Sequence, residues 1–406
     1  MSGGVDSSVA AALLQRQGYD CIGVFMRLGS PGEALDELLP ADSCATNPSL
    51  RIGKQGCCSI NDAADARLVA AQLGIPFYVV NFKREFGRVI DYFVDEYAAG
   101  RTPNPCVRCN DWLKFGRLHD YAAQLGADFV ASGHYARVEG ATPVGMVAAL
   151  GGHVEQHAAH TLPLAAPTTP RLLRGLDHAK DQSYVLFGVP RDHLARMLLP
   201  IGGFHKPNIR DMARDLGLPV FDKPDSQEIC FVPDNDYAAL VERRRPGVVS
   251  TGRVLDDQGN DLGEHAGQHN FTIGQRRGLG LALGRPLYVI NKNPSTNTVT
   301  LGPRERLLIA ACTASEANWL CDVPPAVQWF DTLARYRSNG ALVPARARLL
   351  PDDPTPTPSG RTGTFECEFI TPQEAVAPGQ ALVLYDAANP GVVLGGGWIA
   401  RGTPAQ

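Results

Sequence analysis

The sequence predicts an α/β fold: a doubly wound parallel-sheet domain, then a small β-rich middle part and a C-terminal β-barrel. Three observations carry this. A glycine-rich turn, Ser2-Gly3-Gly4, opens a helix at the start of the chain. Short apolar runs then alternate with helix-patterned segments, the mark of βα units. From about Gly247 the texture shifts to Gly, Val and Thr with turn signals such as Asp257-Gln258-Gly259-Asn260.

In Met1-Ser2-Gly3-Gly4-Val5-Asp6-Ser7-Ser8 two glycines sit between hydroxyl residues, so backbone N–H groups can approach an anion without Cβ interference. Val9 to Leu14 continues as helix and Gly18 stops it. No lysine follows the glycines, which excludes the G-x-x-x-x-G-K-[ST] phosphate loop. A loop of this kind is expected to follow a buried strand. None is seen ahead of Met1, which favours a start placed too late over a lost strand.

Asp20 to Met26 reads as the next strand, and residues 29–56 as an inserted loop. Asn61 to Leu73 reads as a helix ended by Gly74, and Pro76 to Val80 as a strand. Phe86, Ile90, Phe93 and Tyr97 share one helix face, expected to be core and not a base-stacking surface. Leu113 to Leu125 follows as helix, and Asp128 to Ala131 as a strand running into Ser132-Gly133-His134-Tyr135. Residues 139–170 read as a second insertion, with helical patterns near Ser183 and from Asn208 to Leu216. Leu342–Leu350, Thr364–Ile370, Ala381–Tyr385 and Val392–Ile399 are strands at barrel-like spacing.

A chain of 406 residues needs more than one core, and the division expected is 1–240, 241–304 and 305–406. A net charge of −4 means that any nucleic acid would be held by a local basic face. No signal peptide or bilayer-length apolar run is visible, and the 10 cysteines are scattered. These features predict a cytoplasmic enzyme with reduced thiols, not a disulfide scaffold.

Thr102-Pro103-Asn104-Pro105-Cys106-Val107-Arg108-Cys109-Asn110 places a C-x-x-C at a rigid turn before a helix. A thiol there, beside Arg108, is expected to have a lowered pKa. A four-thiolate zinc site would want a second pair, and Cys57-Cys58 matches poorly. Asp225 to Val232 carries Cys230, which taken singly reads as a small buried hydrophobe.

The stretch S-G-G-V-D-S-S resembles the signature of the PP-loop pyrophosphatases. It is followed by T-P-N-P-C-V-R-C-N, S-G-H-Y-A-R, K-D-Q-S-Y (Lys180 to Tyr184), S-Q-E-I-C-F and F-T-I-G-Q-R-R-G-L (Phe271 to Leu279). In this order the motifs resemble the tRNA-specific 2-thiouridylase family over nearly the whole chain, outside about 29–56, 139–170 and 351–363.

The resemblance implies ATP-dependent thiolation of the wobble uridine of tRNAs for Lys, Glu and Gln, with sulfur delivered by a donor protein. It implies an ATP loop at Met1, Ser2, Gly3, Gly4, Val5, Asp6, Ser7 and Ser8, with Met26 and Gly133 beside adenine and Asp6 as a Mg²⁺ partner. Cys109 matches the nucleophile and Cys230 the persulfide carrier, the two ending as a disulfide. Asn104, Pro105 and Cys106 match a target-base segment. Lys180, Asp181, Gln182, Arg335 and Tyr336 match tRNA contacts. Some family members carry Asp where this chain has Cys106, which leaves an acid/base role there open. Three alternatives stand beside this reading: an iron–sulfur cluster on Cys106, Cys109 and Cys230, a GMP-synthetase-like ligase, and a non-catalytic RNA binder.

Overall fold

The structure is a computed structural model that describes residues 1–29, 60–140, 169–225, 229–232, 236–246, 250–280, 285–322, 324, 327–351 and 363–405. Most of both expected insertions, Cys57-Cys58, and Ser226 to Glu228 lie outside the described residues.

Helix α1 (Val5–Arg16) is buried on most of its surface, as its run of Val, Ala and Leu demands, and Gly18 ends it at φ +86°. Strand β1 (Gly23–Arg27) follows, then α2 (Ile60–Leu73) and β2 (Phe77–Asn81). β1 and β2 pair in parallel from Gly23↔Phe77 to Arg27↔Asn81, the pairing a helical crossover requires. In α3 (Lys83–Ala98) the stripe Phe86, Ile90, Phe93 and Tyr97 is buried, as its spacing predicts. Burying each such side chain is worth about 1.5–3 kcal/mol.

The helix expected from Leu113 differs. A single helical turn (Pro105–Arg108) passes into a π-helical stretch (Cys109–Arg117) before α4 (Leu118–Gln124). Gly116 permits the widening, since a Cβ there would lie 2.7 Å from the Asp111 carbonyl oxygen. The strand expected over Asp128–Ala131 is shorter, with β3 (Val130–Ala131) pairing in parallel with β6 (Met197–Leu198). Between them β4 (Ala136–Glu139) and β5 (Arg171–Arg174) form an antiparallel pair. Helices α5 (Lys206–Asp215) and α6 (Tyr237–Arg244) complete this α/β part.

The middle part is a four-stranded sheet in the order β8 (Asp261–His265), β7 (Gly252–Asp256), β10 (Thr298–Gly302), β9 (Tyr288–Asn293), over a core of Val254, Phe271, Leu287, Val289, Val299 and Leu301. The last part is a closed barrel. It joins β11 (Leu308–Trp319), β14 (Phe365–Glu374), β13 (Val343–Leu349), β12 (Phe330–Arg335), β15 (Ala381–Asp386) and β16 (Val393–Pro404) in that order. Closure leaves no free sheet edge. No helix among the described residues is long and apolar enough to cross a membrane.

Candidate active site

The two glycines of the first loop do different work. Gly3 takes φ +71°, and a side chain on it would overlap the Asp62 backbone of α2. Gly4 is extended, and the atom nearest to a Cβ on it would be Ser2 Oγ at 3.6 Å. Open space lies in front of Gly4. It caps α1 without a side chain, so no cap consumes the first-turn N–H groups. The Ser7 and Ser8 hydroxyls donate back to the Gly4 carbonyl at 3.2 and 2.8 Å. Gly133 closes the other flank, where a Cβ would sit 2.6 Å from the Asp6 and Ser7 backbone.

Asp6 projects from the first turn of α1. Lys206, first residue of α5, donates to both Asp6 carboxylate oxygens at 2.8 Å, and the Tyr135 hydroxyl donates to Oδ1 at 2.7 Å. Burial and Asp6 together push the Tyr135 pKa up, so this hydroxyl remains a donor. The Lys206 ammonium also lies 2.8 Å from Asp225, which accepts from Lys180 and Arg210 at 2.9 Å each. Burial opposes the Asp225 charge, but hydrogen bonds from Lys206 and Lys180 outweigh it and draw its pKa down to about 2. Lys223 braces the loop from below, donating to the Gly3 carbonyl at 2.9 Å and pairing with Asp62 and Asp65 at 2.6 Å each. Sequence reasoning missed Lys206, Tyr135 and Lys223, since none is near Asp6 in the chain.

Asn104 caps the turn that carries the C-x-x-C, its Oδ1 accepting from the Val107 N–H at 3.4 Å with Pro105 in the first position. Cys106 is exposed, while Cys109 and Cys230 are half-buried. Phe231 packs edge-on against Phe86 and Phe93, at centroid distances of 5.6 and 5.2 Å. The apolar stripe of α3 therefore seats the Cys230 segment. One cavity of about 1800 Å³ is lined by the first loop without Gly3 (Met1, Ser2, Gly4, Val5, Asp6 and Ser7), by Met26 and Gly133, and by Asn104, Pro105, Cys106, Cys109, Lys180 and Cys230. His134 also lines it, and burial together with nearby Lys114 holds its pKa well below the usual range, so the ring is neutral.

Arg108, which stands between the two thiols in the chain, also has a partner in the barrel. Its guanidinium is buried and pairs with Glu316 of β11 through bonds of 2.9 and 3.0 Å. The structure gives no support to the alternative of a cluster on Cys106, Cys109 and Cys230. Among the described residues, no group of three or more His, Cys, Asp or Glu is placed to hold a metal ion.

The same three-part order appears in comparisons with known proteins. Residues 1–234 match the family model described as tRNA methyl transferase HUP domain, 243–303 that of its PRC-barrel domain, and 309–399 an aminomethyltransferase beta-barrel domain. The chain is 45% identical to a tRNA-specific 2-thiouridylase MnmA of Rhodopirellula baltica, over 99% of this chain and 95% of the relative. It is 42% identical to the enzyme of that name from Caulobacter vibrioides, over 100% of this chain and 94% of the relative. The chain belongs to the tRNA-specific 2-thiouridylase family.

Within this thiouridylase frame, the matched tRNA-contact positions differ in what they present. Lys180 keeps a partly exposed side chain beside Asp225. Asp181 is buried and accepts from Arg174 at 3.0 Å and Arg335 at 2.9 Å, besides the Gly175 and Ser183 N–H groups. Gln182 Oε1 accepts from the Tyr135 N–H at 2.9 Å. Arg335 is buried against Asp181, whereas Tyr336 is half-buried and Arg337 exposed. The side chains of Asp181, Gln182 and Arg335 are thus engaged inside the protein.

Proposed function

We propose that this chain is an ATP-dependent tRNA-uridine 2-sulfurtransferase acting in the cytoplasm on the wobble uridine of tRNAs for Lys, Glu and Gln. The carrying observation is the single cavity that joins the open face of Gly4 to Cys106, Cys109 and Cys230. The division of labour proposed is catalysis in 1–240, with 241–304 and 305–406 as the middle and barrel parts that contact tRNA.

A uracil C2 carbonyl is a poor electrophile, and its oxygen leaves readily only once it carries AMP. In this reading the C2 oxygen attacks the α-phosphorus of ATP and pyrophosphate departs. First-turn N–H groups of α1 face the charge that develops on it, and Lys206 supplies the cation that the loop itself lacks. Asp6, a carboxylate on the cavity wall beside the loop, suits Mg²⁺, which takes one or two carboxylates plus phosphate oxygens and adds charge neutralisation. Met26 and Gly133 would flank the adenine.

Sulfur arrives on Cys230 as a persulfide loaded by a donor protein. The terminal sulfur attacks C2, the C2–O bond breaks and AMP leaves. The Cys109 thiolate then attacks the Cys230 sulfur, forming a Cys109–Cys230 disulfide as the bond to the transferred sulfur breaks and 2-thiouridine departs. A thiol reductant resets the pair. The base must leave its stack to enter the cavity beside Asn104, Pro105 and Cys106, at a cost of about a few kcal/mol. The test is the fate of ATP. AMP and pyrophosphate should form only when tRNA is present, and ADP formation or tRNA-independent turnover contradicts the reading.

A further inference from the structure

We propose that the C-terminal barrel is the mould of the cysteine turn, with Glu316 and Gln380 as positioning residues for Cys109 and for Asn104-Pro105-Cys106. For its consequence in catalysis the proposal rests on the thiolation reading above.

Pro105–Arg108 is the first turn of a helical run that continues through Cys109–Arg117, and a helix start leaves its first N–H groups and its entry angle to be set by outside contacts. The barrel grips this turn at both ends. Upstream, the Thr102 N–H donates to the Pro378 carbonyl at 2.8 Å, and Gln380 Nε2 donates to the Thr102 and Pro103 carbonyls at 2.9 and 3.4 Å. Gly379 between them has φ +89°, and a Cβ on it would meet Arg101 Cβ at 2.9 Å, so the two backbones are in direct apposition.

Downstream, Arg108 forks onto Glu316 with both terminal nitrogens, an arrangement that fixes orientation as well as distance. The guanidinium is stacked at 4.0 Å from the Trp398 ring centroid and lies 5.0 and 5.1 Å from those of Tyr92 and Trp112. Glu316 takes φ +54°, a conformation that non-glycine residues seldom adopt and that persists only where its surroundings over-determine it. Cys109 directly follows Arg108, so its place on the cavity wall is set from a strand more than 200 positions away.

The test uses the full-length protein with Glu316→Ala, Glu316→Gln and Gln380→Ala. Site-resolved alkylation of Cys109 and Cys230 is followed by mass spectrometry, beside thiolation kinetics. In the two alanine variants the Cys109 alkylation rate should change by about fivefold or more while that of Cys230 stays within about twofold. Thiolation kcat should fall about tenfold with KM for ATP nearly unchanged. Glu316→Gln keeps an oxygen for one Arg108 hydrogen bond and should fall between. Cys109 alkylation rates equal to wild type in both alanine variants overturn the proposal. Should Glu316→Ala fail to fold, Gln380→Ala decides alone, since it leaves the Arg108–Glu316 pair in place. Should wild-type protein thiolate no tRNA, the functional reading falls, and the alkylation comparison still decides the positioning claim.

Discussion

Lys206 stands 200 positions from Asp6 in the chain, yet its ammonium lies 2.8 Å from both oxygens of that carboxylate. A glycine loop without its own lysine thus receives one from the start of a distant helix. Replacing Lys206 by Met should destabilise the fold by about 1.5–3 kcal/mol, since charged hydrogen bonds are lost, and should sharply reduce AMP formation. Thermal unfolding and pyrophosphate release measure the two effects. Full AMP formation by the variant would show that this ammonium is not needed.

The loop glycines should separate cleanly on substitution. Gly3→Ala forces a side chain onto a positive φ and into the Asp62 backbone, so it should cost about 1–3 kcal/mol and lower Tm. Gly4→Val meets no such obstacle and should fold normally, bind tRNA normally, and make no AMP, because the side chain fills the space proposed for phosphate. A Gly4→Val protein with normal AMP production would place the phosphates elsewhere.

Asp225 gives a pH signature. Its folded pKa is depressed from 3.8 to about 2, so its contribution to stability is fully present above 3.8 and fades as pH falls towards 2. Wild type should exceed Asp225→Asn in Tm at neutral pH, and the gap should shrink only within that acidic window. A gap that is constant down to pH 2 would show that the carboxylate charge is not what stabilises.

Arg335 and Arg337 should behave as opposites despite lying two positions apart. Arg335→Ala removes one of the two cationic partners of buried Asp181 and should cost about 3–5 kcal/mol. Arg337 is exposed, and its loss should leave Tm nearly unchanged while lowering the salt slope of tRNA binding by about 1. Fluorescence titrations at several salt concentrations check this. An unchanged slope moves the footprint elsewhere on the surface, to Arg276 and Arg277 first.

Local signals in the sequence were informative wherever the physics was local. The core stripe of α3 followed from its 3.6-residue spacing, and Gly18 and Gly74 ended helices at positive φ as their positions suggested. The barrel strands β13 to β16 were legible as short strand-like runs at barrel-like spacing. Strand β11 was not, because its interior positions are small residues such as Cys312 and Ala314, which carry no strand pattern. At the site, the loop and the cysteines were legible as motifs. Their partners were not: the Lys206 contact to Asp6 and the Glu316 contact to Arg108 each join residues 200 or more positions apart. Arg108 shows the same limit. Adjacency to two thiols suggested electrostatic help, and nothing near it in the chain pointed to the pairing with Glu316.

The most direct measurement is a single turnover with radiolabelled sulfur preloaded on Cys230, followed by nucleoside analysis of the tRNA. The account predicts labelled 2-thiouridine at the wobble position, one AMP per label transferred, and a Cys109–Cys230 disulfide in the spent protein. Cys230→Ser should take up no label, and Cys109→Ser should take it up but fail to release it without added reductant. Label retained on the wild-type protein in the presence of ATP and tRNA, or found on Cys106, would contradict the account.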